Sequence, residues 1–363
     1  MKVDTRFSRL QLVFLLLLTL GISNHVFIIP HLLKDAGRDA WFSILLAYPF
    51  LVAWTAILYF ILKSMRDSPF DVWLESRIGK FGRLTVCWCL SLYFLVLGML
   101  IVYDTCMNTE IYFLPKTPNV AVVLSDVIVS YFAARNGLKT IVYFSIILLP
   151  IVWLFGYFVS LSTLDSKDYS LIKPFFSEGI ASDIRGGMIV FGGSIEMLML
   201  VVLQHKLKKP LNYGTIVILL TLLFGLILGP TLGSLSAFGP NIAGTLRFPA
   251  FEQWRLVTVG EYISHVDFLA VFQMMAGSIA RTALLIYLLS ELIGMHNPRR
   301  RQAAMIGGAA LMALPSLLHV SDLWMQTVIH DHFYVSSFIF GLAAIAILFP
   351  LTYLPGSKKG ETS

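Results

Sequence analysis

The chain has 363 residues, of which 57% are hydrophobic and only 13% charged, with a formal net charge of +6. So apolar a composition excludes a soluble globular domain and implies a polytopic membrane protein with short loops. The excess of positive charge does not mark a nucleic-acid binder, because the basic residues stand between apolar runs and form no basic face.

The first apolar run, 10–30, follows Lys2, Arg6 and Arg9 and mimics a signal peptide. No small-x-small cleavage site follows Leu20 and apolar character resumes, so the run is expected to remain as an uncleaved first span. In its middle stand Gly21, Ile22, Ser23 and Asn24. A glycine-polar interruption at this depth predicts a helix broken into two halves, whose free N–H and C=O groups can hold a small charged solute. The competing reading is a continuous helix in which Gly21 admits a neighbour and Ser23 bonds back to its own i−4 carbonyl.

Further apolar runs predict spans at 40–62, 82–113, 119–134, 138–163, 185–204, 211–237, 265–294, 303–319 and 332–354. The total is ten helices, the fourth and ninth short. Between spans two and three, Phe70, Trp73, Leu74 and Ile78 fall at helical spacing opposite Asp71, Glu75 and Arg77, which predicts an interfacial helix. Cys87, Cys89 and Cys106 share the third span at spacings that suit neither a disulfide nor a metal. Gly225, Gly229 and Gly233, four residues apart in span seven, predict a close packing seam before a hinge. The segment 249–264, with Phe251, Trp254, Leu256, Val259 and Ile263 among charges, predicts a helix capping the outer face. His330 and His332 flank Asp331 in an expected outer loop, which reads as a solvated turn rather than a metal site. With the N-terminus inside, inner segments carry 18 Lys and Arg against 8 outside, so both termini are expected in the cytoplasm.

The long outer linker, 165–184, divides the chain into halves at 1–164 and 185–363 with five spans each. An odd repeat length inverts the second half, and the first helix of that half should carry a matching interruption. One stands there: Phe191, Gly192, Gly193 and Ser194, followed by Glu196. A half-helix N-terminus suits a carboxylate and a carbonyl end suits an ammonium, so the expected ligand is small and amino acid-like. Spans three and eight would flank it with Gly98, Val102 and Tyr103 on one side and Met274, Gly277 and Ser278 on the other.

Four ionisable residues, Asp104, Asp126, Glu196 and Arg281, lie inside apolar spans. Unpaired at the bilayer centre they would together cost on the order of 10 kcal/mol, so they must be paired, protonated or hydrated. Glu196 and Arg281 are the expected pair, serving either a ligand or the helix register; Asp104 is the next candidate for charge coupling. No Walker loop, nucleophile elbow, zinc motif or dinucleotide fingerprint is present, so neither an enzyme, a cofactor nor a metal is expected.

The run from Leu20 to Asn24 through Phe27-Ile28-Ile29-Pro30, then Lys34-Asp35-Ala36-Gly37-Arg38-Asp39-Ala40-Trp41, resembles the N-terminal signature of the B subunits of spore germination (Ger-type) nutrient receptors. Arg135-x-Gly137 before span five, the length and the ten spans fit the same family. The resemblance implies a LeuT-like permease fold with helices one and six discontinuous, a complex with germination receptor A and C subunits, and residence in a bacterial spore inner membrane. Gly21 and Ser23 match the family's first break, whereas Asn24 and His25 depart from its small or apolar residues.

Overall fold

The computed structural model describes residues 6–258, 266–294 and 297–356. Among them the regular elements are helical, apart from an isolated bridge that ties Phe7 to Leu207. A reciprocal cap starts the first helix, α1 (Arg9–Ile22): the Ser8 hydroxyl accepts from Gln11 N–H, and the Gln11 side chain accepts from Ser8 N–H. A π-helical turn, Ser23–Phe27, leads without a gap into α2 (Ile28–Ala36). Gly37, at φ +48°, then reverses the chain into α3 (Ala40–Met65). That left-handed backbone suits glycine, and a Cβ there would stand 2.9 Å from the Glu178 side chain.

The helices α4 (Phe70–Tyr112), α5 (Asn119–Arg135) and α6 (Leu138–Ser162) follow. After the linker come α7 (Ile180–Ser194), a 3₁₀ turn at Ile195–Leu198 and α8 (Met199–Leu203). They are followed by α9 (Tyr213–Ala243), the short α10 (Pro249–Glu252), α11 (Phe268–Gly294) and α12 (Pro298–Leu317). The last stretch is α13 (Asp322–Val328), a π-helical turn at Ile329–Phe333, and α14 (Tyr334–Leu351).

Among the described residues seven helical stretches, counting Arg9–Met65 as one, are long and apolar enough to cross a membrane, so the protein is a helical, multi-pass membrane protein. The 17 residues of α5 reach only about 25 Å, short of a hydrocarbon core of roughly 30 Å. Burial is graded. The stretch from α1 to α2 and the stretch from α7 to α8 are covered nearly all round, while α5, α6 and α14 leave Phe132, Leu154 and Ile339 exposed on an outward face.

Three expectations are corrected. Helices one and six are not discontinuous: the residues capping their irregular turns keep right-handed helical dihedrals, and the chain changes pitch instead of unwinding. His330 and His332 lie in a π-helical turn, not an outer loop, because the helix begins earlier, at Asp322 behind Ser321. The face of Phe70, Trp73 and Leu74 is buried within the protein rather than left for the lipid surface. Trp73 stacks on Phe70, and Arg77 lies over Trp73 while donating to the Leu351 carbonyl. Of the expected outer helix at 249–264, α10 and a 3₁₀ turn at Gln253–Leu256 are present; Val259 and Ile263 lie outside the described residues.

The residues that carry the family resemblance have a structural role. Asp39, fully buried, accepts from Phe176 N–H at 2.9 Å and Glu178 N–H at 2.8 Å. Trp41 and Phe42 meet Phe175 and Phe176 edge-on. The linker is thereby folded over the α2–α3 turn, on the face opposite the start of α1, called here the far face.

Candidate ligand site and its buried ion pairs

The turn at Ser23–Phe27 has a local cause. His25 Nδ1 lies 2.6 Å from the Gly21 carbonyl, so the ring takes the acceptor that its own backbone N–H would use in an α-helix. The ladder slips by one residue, and Ile28 N–H donates to the Ser23 carbonyl, five residues back. The extra residue turns successive side chains toward different neighbours. The Ser23 hydroxyl donates to Glu196 Oε1 at 3.4 Å, and Asn24 Nδ2 donates to the Leu223 carbonyl of α9 at 3.3 Å.

Glu196 sits on the 3₁₀ turn that follows α7. Arg281 Nη2 of α11 donates to Glu196 Oε1 at 2.5 Å, with the two side chains only 3% and 2% exposed. The pair is half satisfied. Among the described residues, Glu196 Oε2 and the Nε and Nη1 of Arg281 have no hydrogen-bond partner. Tyr93, whose buried hydroxyl faces Ser337, lies within electrostatic reach of both.

The predicted glycines divide into two kinds. The place of a Cβ at Gly192 is taken by the Tyr334 carbonyl, and that at Gly193 by the Ile28 side chain, so both sit at helix crossings. Ser194 bonds back to Val190, and Phe191 packs edge-on against Phe338 and Trp54. Gly98 receives Met312, and Gly277 receives Ile22, with 2.9 Å between the Ile22 Cβ and a Cβ placed there. Gly21 faces Leu226, and Val102 is buried. Gly225 and Gly229 are different: a Cβ at either would meet nothing within 4 Å. They form part of a cavity wall rather than the expected seam; Gly233 alone of the three is packed, against Gln253.

That cavity, about 390 Å³, runs along one side of α1 between α6, α9 and α11. Its polarity is graded. Lys167, Ser160 and Gln253 stand toward the far face, Gln273 and His25 midway, and Leu18, Leu149 and Leu222 at the deep end. Ile22, Met274 and Gly277 also line it, and Arg281 lies one helical turn beyond Gly277 on α11.

Asp104 has a partner that sequence reasoning missed. Arg247, in the segment between α9 and α10, binds Asp104 Oδ1 at 2.5 Å and both oxygens of Asp322 at 3.1 Å. Gln326 Nε2 joins the same carboxylates at 3.4 Å, and Tyr103 donates to the Val320 carbonyl at 2.9 Å. Three segments distant in sequence are thus closed together on the far face. The legible signal was a carboxylate near one end of a span and an arginine in a segment between spans; their separation of 143 positions hid the match.

Comparison with known proteins agrees with this architecture. The family model for spore germination proteins of the spore permease type matches residues 6–313. The chain is 32% identical over 312 residues to Spore germination protein XB of Bacillus anthracis, covering 86% of this chain and 88% of that one. It is 25% identical over 237 residues to YfkT of Bacillus subtilis (strain 168), covering 65% of each. With its multi-pass helical body and a family match over most of its length, the chain belongs to the spore germination permease family.

Proposed function

We propose that the protein is the nutrient-sensing subunit of a spore germination receptor, binding a small amino acid-like ligand at mid-membrane and passing its occupancy to partner subunits. The half-satisfied pair is the observation that carries this reading. A buried guanidinium with two unused donor nitrogens and a carboxylate with one unused oxygen complement the carboxylate and ammonium of an amino acid. The ligand carboxylate faces Arg281, its ammonium faces Glu196 Oε2, and the neighbouring cavity supplies the approach from the far face once Ile22 parts from Gly277. Sensing then consists of unequal binding to two conformers, which shifts their populations.

The same reading assigns ten spans, with α5 and α12 as the short fourth and ninth, in an inverted five-plus-five LeuT-like arrangement of residues 1–164 and 185–363 about the linker 165–184. Irregular turns near the middle of the first helix of each half support it. Both termini are cytoplasmic by the excess of Lys and Arg, the membrane is the spore inner membrane, and the partners are the receptor A and C subunits. The chain is a binding subunit, not an enzyme. The permease kinship supports a second reading, an amino acid/cation symporter using the same site.

Purified protein in liposomes and in detergent, offered a panel of labelled amino acids, separates the two. The sensor binds saturably without concentrative uptake, and Arg281→Gln abolishes that binding. Concentrative uptake identifies the carrier. Neither binding nor flux, for any member of the panel, overturns both.

A further inference from the structure

The cavity beside α1 has a lateral opening that a nutrient arriving from the far face does not explain. α6 and α9 both pack on α1 but stand apart from each other, and between them Tyr157, Thr221, Gly225 and Gly229 line the cavity and are exposed. Both helices are long and apolar enough to cross the membrane, so this side of the cavity opens onto hydrocarbon rather than water. Glycine keeps the gap clear. A Cβ at Gly225 or Gly229 would meet nothing within 4 Å, and one at Gly156 of α6 would meet only Gln273 Nε2, at 3.9 Å.

The slot is narrow. Its lining on α6 runs over 149–160, about 16 Å at 1.5 Å per residue, so a volume of about 390 Å³ gives a mean section of about 24 Å². A helix 10–12 Å across has a section of about 80–110 Å², which excludes a partner's transmembrane helix and leaves room for a single hydrocarbon chain. The two ends differ in chemistry. Leu18, Leu149 and Leu222 close the deep end. At the far end Lys167 Nζ donates to the Ser160 carbonyl at 3.2 Å and pairs with no carboxylate among the described residues. Between them stands Gln273, level with Gly156 and so about 6 Å deeper than Ser160. Gln273 is only 8% exposed, lines the cavity and makes no hydrogen bond among the described residues, so its amide is an unused donor turned into the slot.

We propose that this slot holds one acyl chain of an anionic phospholipid from the far-face leaflet. The phosphate pairs with Lys167, an ester carbonyl accepts from the Gln273 amide about one turn deeper, and the chain runs past Ile22 and Gly225 to the three leucines. Lys167 sets the preference for negative charge, and Gln273 sets the depth of the glycerol. A seated chain lies against Ile22 and Gly277, so it has to withdraw before a nutrient can use the same cavity. The lipid site stands whether or not Glu196 and Arg281 bind a nutrient.

The test is native mass spectrometry of the full-length protein in detergent, with no nutrient present. It is titrated with phosphatidylglycerol, with phosphatidylcholine carrying the same two chains, and with oleate. One phosphatidylglycerol should bind saturably and about fivefold more tightly than phosphatidylcholine, the share of one lysine near a membrane surface. Lys167→Gln should erase that preference, and Gly225→Leu, whose side chain fills the slot, should abolish saturable binding of both phospholipids. A diazirine midway along the acyl chain of phosphatidylglycerol should label 149–160 of α6 and 221–230 of α9. Should Gly225→Leu fail to fold, Lys167→Gln and the labelling decide. Equal binding of the two phospholipids, a preference untouched by Lys167→Gln, or labelling confined to other helices overturns the proposal. Saturable binding of oleate without phospholipid also overturns it, assigning a fatty acid to the slot.

Discussion

Replacing Glu196 by glutamine keeps the size of the side chain and removes its charge, leaving the Arg281 guanidinium in a site only 3% exposed. No other carboxylate pairs with it among the described residues, since Asp104 is held by Arg247. Breaking one member of a buried pair costs about 3–5 kcal/mol, most of it the penalty of the stranded charge. At about 2–4 °C per kcal/mol for chains of this order of size, Glu196→Gln should lower the melting midpoint by on the order of 10 °C. The double variant Glu196→Gln/Arg281→Met removes both charges and should recover most of that loss, although ligand binding stays absent. A thiol-reactive dye reads the transition directly: Cys87 and Cys106 are buried, and the exposed Cys89 is silenced by Cys89→Ser. A single variant that melts with the parent, or a double variant as unstable as the single, would refute the assignment of Glu196 and Arg281 as mutually compensating charges.

Arg247→Ala should cost about 3–5 kcal/mol by stranding Asp104, and Asp104→Asn in the same chain should restore part of it; the same melting assay reports both. Gly192→Ala pushes a methyl group into the Tyr334 carbonyl and should destabilise by about 1–3 kcal/mol, whereas Gly225→Ala, with open space around it, should melt within about 0.5 kcal/mol of the parent. Asp39→Ala frees the backbone N–H groups of Phe176 and Glu178; proteolysis of the linker should accelerate while the helices on either side survive, and an unchanged cleavage rate would count against the anchor.

Apolar run length was enough to place helices such as α5 and α6 to within a residue or two, because hydrocarbon demands a continuous stretch and the flanking Asn136-Gly137 and Pro118 punctuate it plainly. Run length failed at α13, where Asp322, Gln326, His330 and Asp331 break the apolar pattern although the chain is helical throughout. The polarity of three of them is spent on other segments: Asp322 on Arg247, Gln326 on Asp104 at 3.4 Å, and His330 on Asp35 at 3.1 Å. The electrostatic cost of intramembrane charge pointed to Glu196 and Arg281, which the structure sets 2.5 Å apart, but it could not name Arg247 as the partner of Asp104, since an arginine in a loop carries no cost to flag it. Glycine was the most ambiguous letter. Gly192 and Gly225 are alike in sequence, and only the neighbouring Tyr334 backbone makes one a crossing while emptiness makes the other a wall.

The irregular turns explain how a long apolar helix can present polar groups within its buried length without unwinding. An open gap would strand several N–H and C=O groups in hydrocarbon, each costing several kcal/mol. The π-helical turn avoids this: His25 occupies the Gly21 carbonyl, Ile28 N–H reaches Ser23, and the extra residue directs Ser23, Asn24 and His25 toward Glu196, α9 and the cavity in succession. The 3₁₀ turn at Ile195–Leu198 does the converse, tightening the helix where Glu196 must meet Ser23 and Arg281. Polar side chains, rather than loose backbone ends, are therefore the groups the proposed sensing role draws on, and the unfilled atoms of Glu196 and Arg281 are where that proposal seats the two charges of a dipolar ligand.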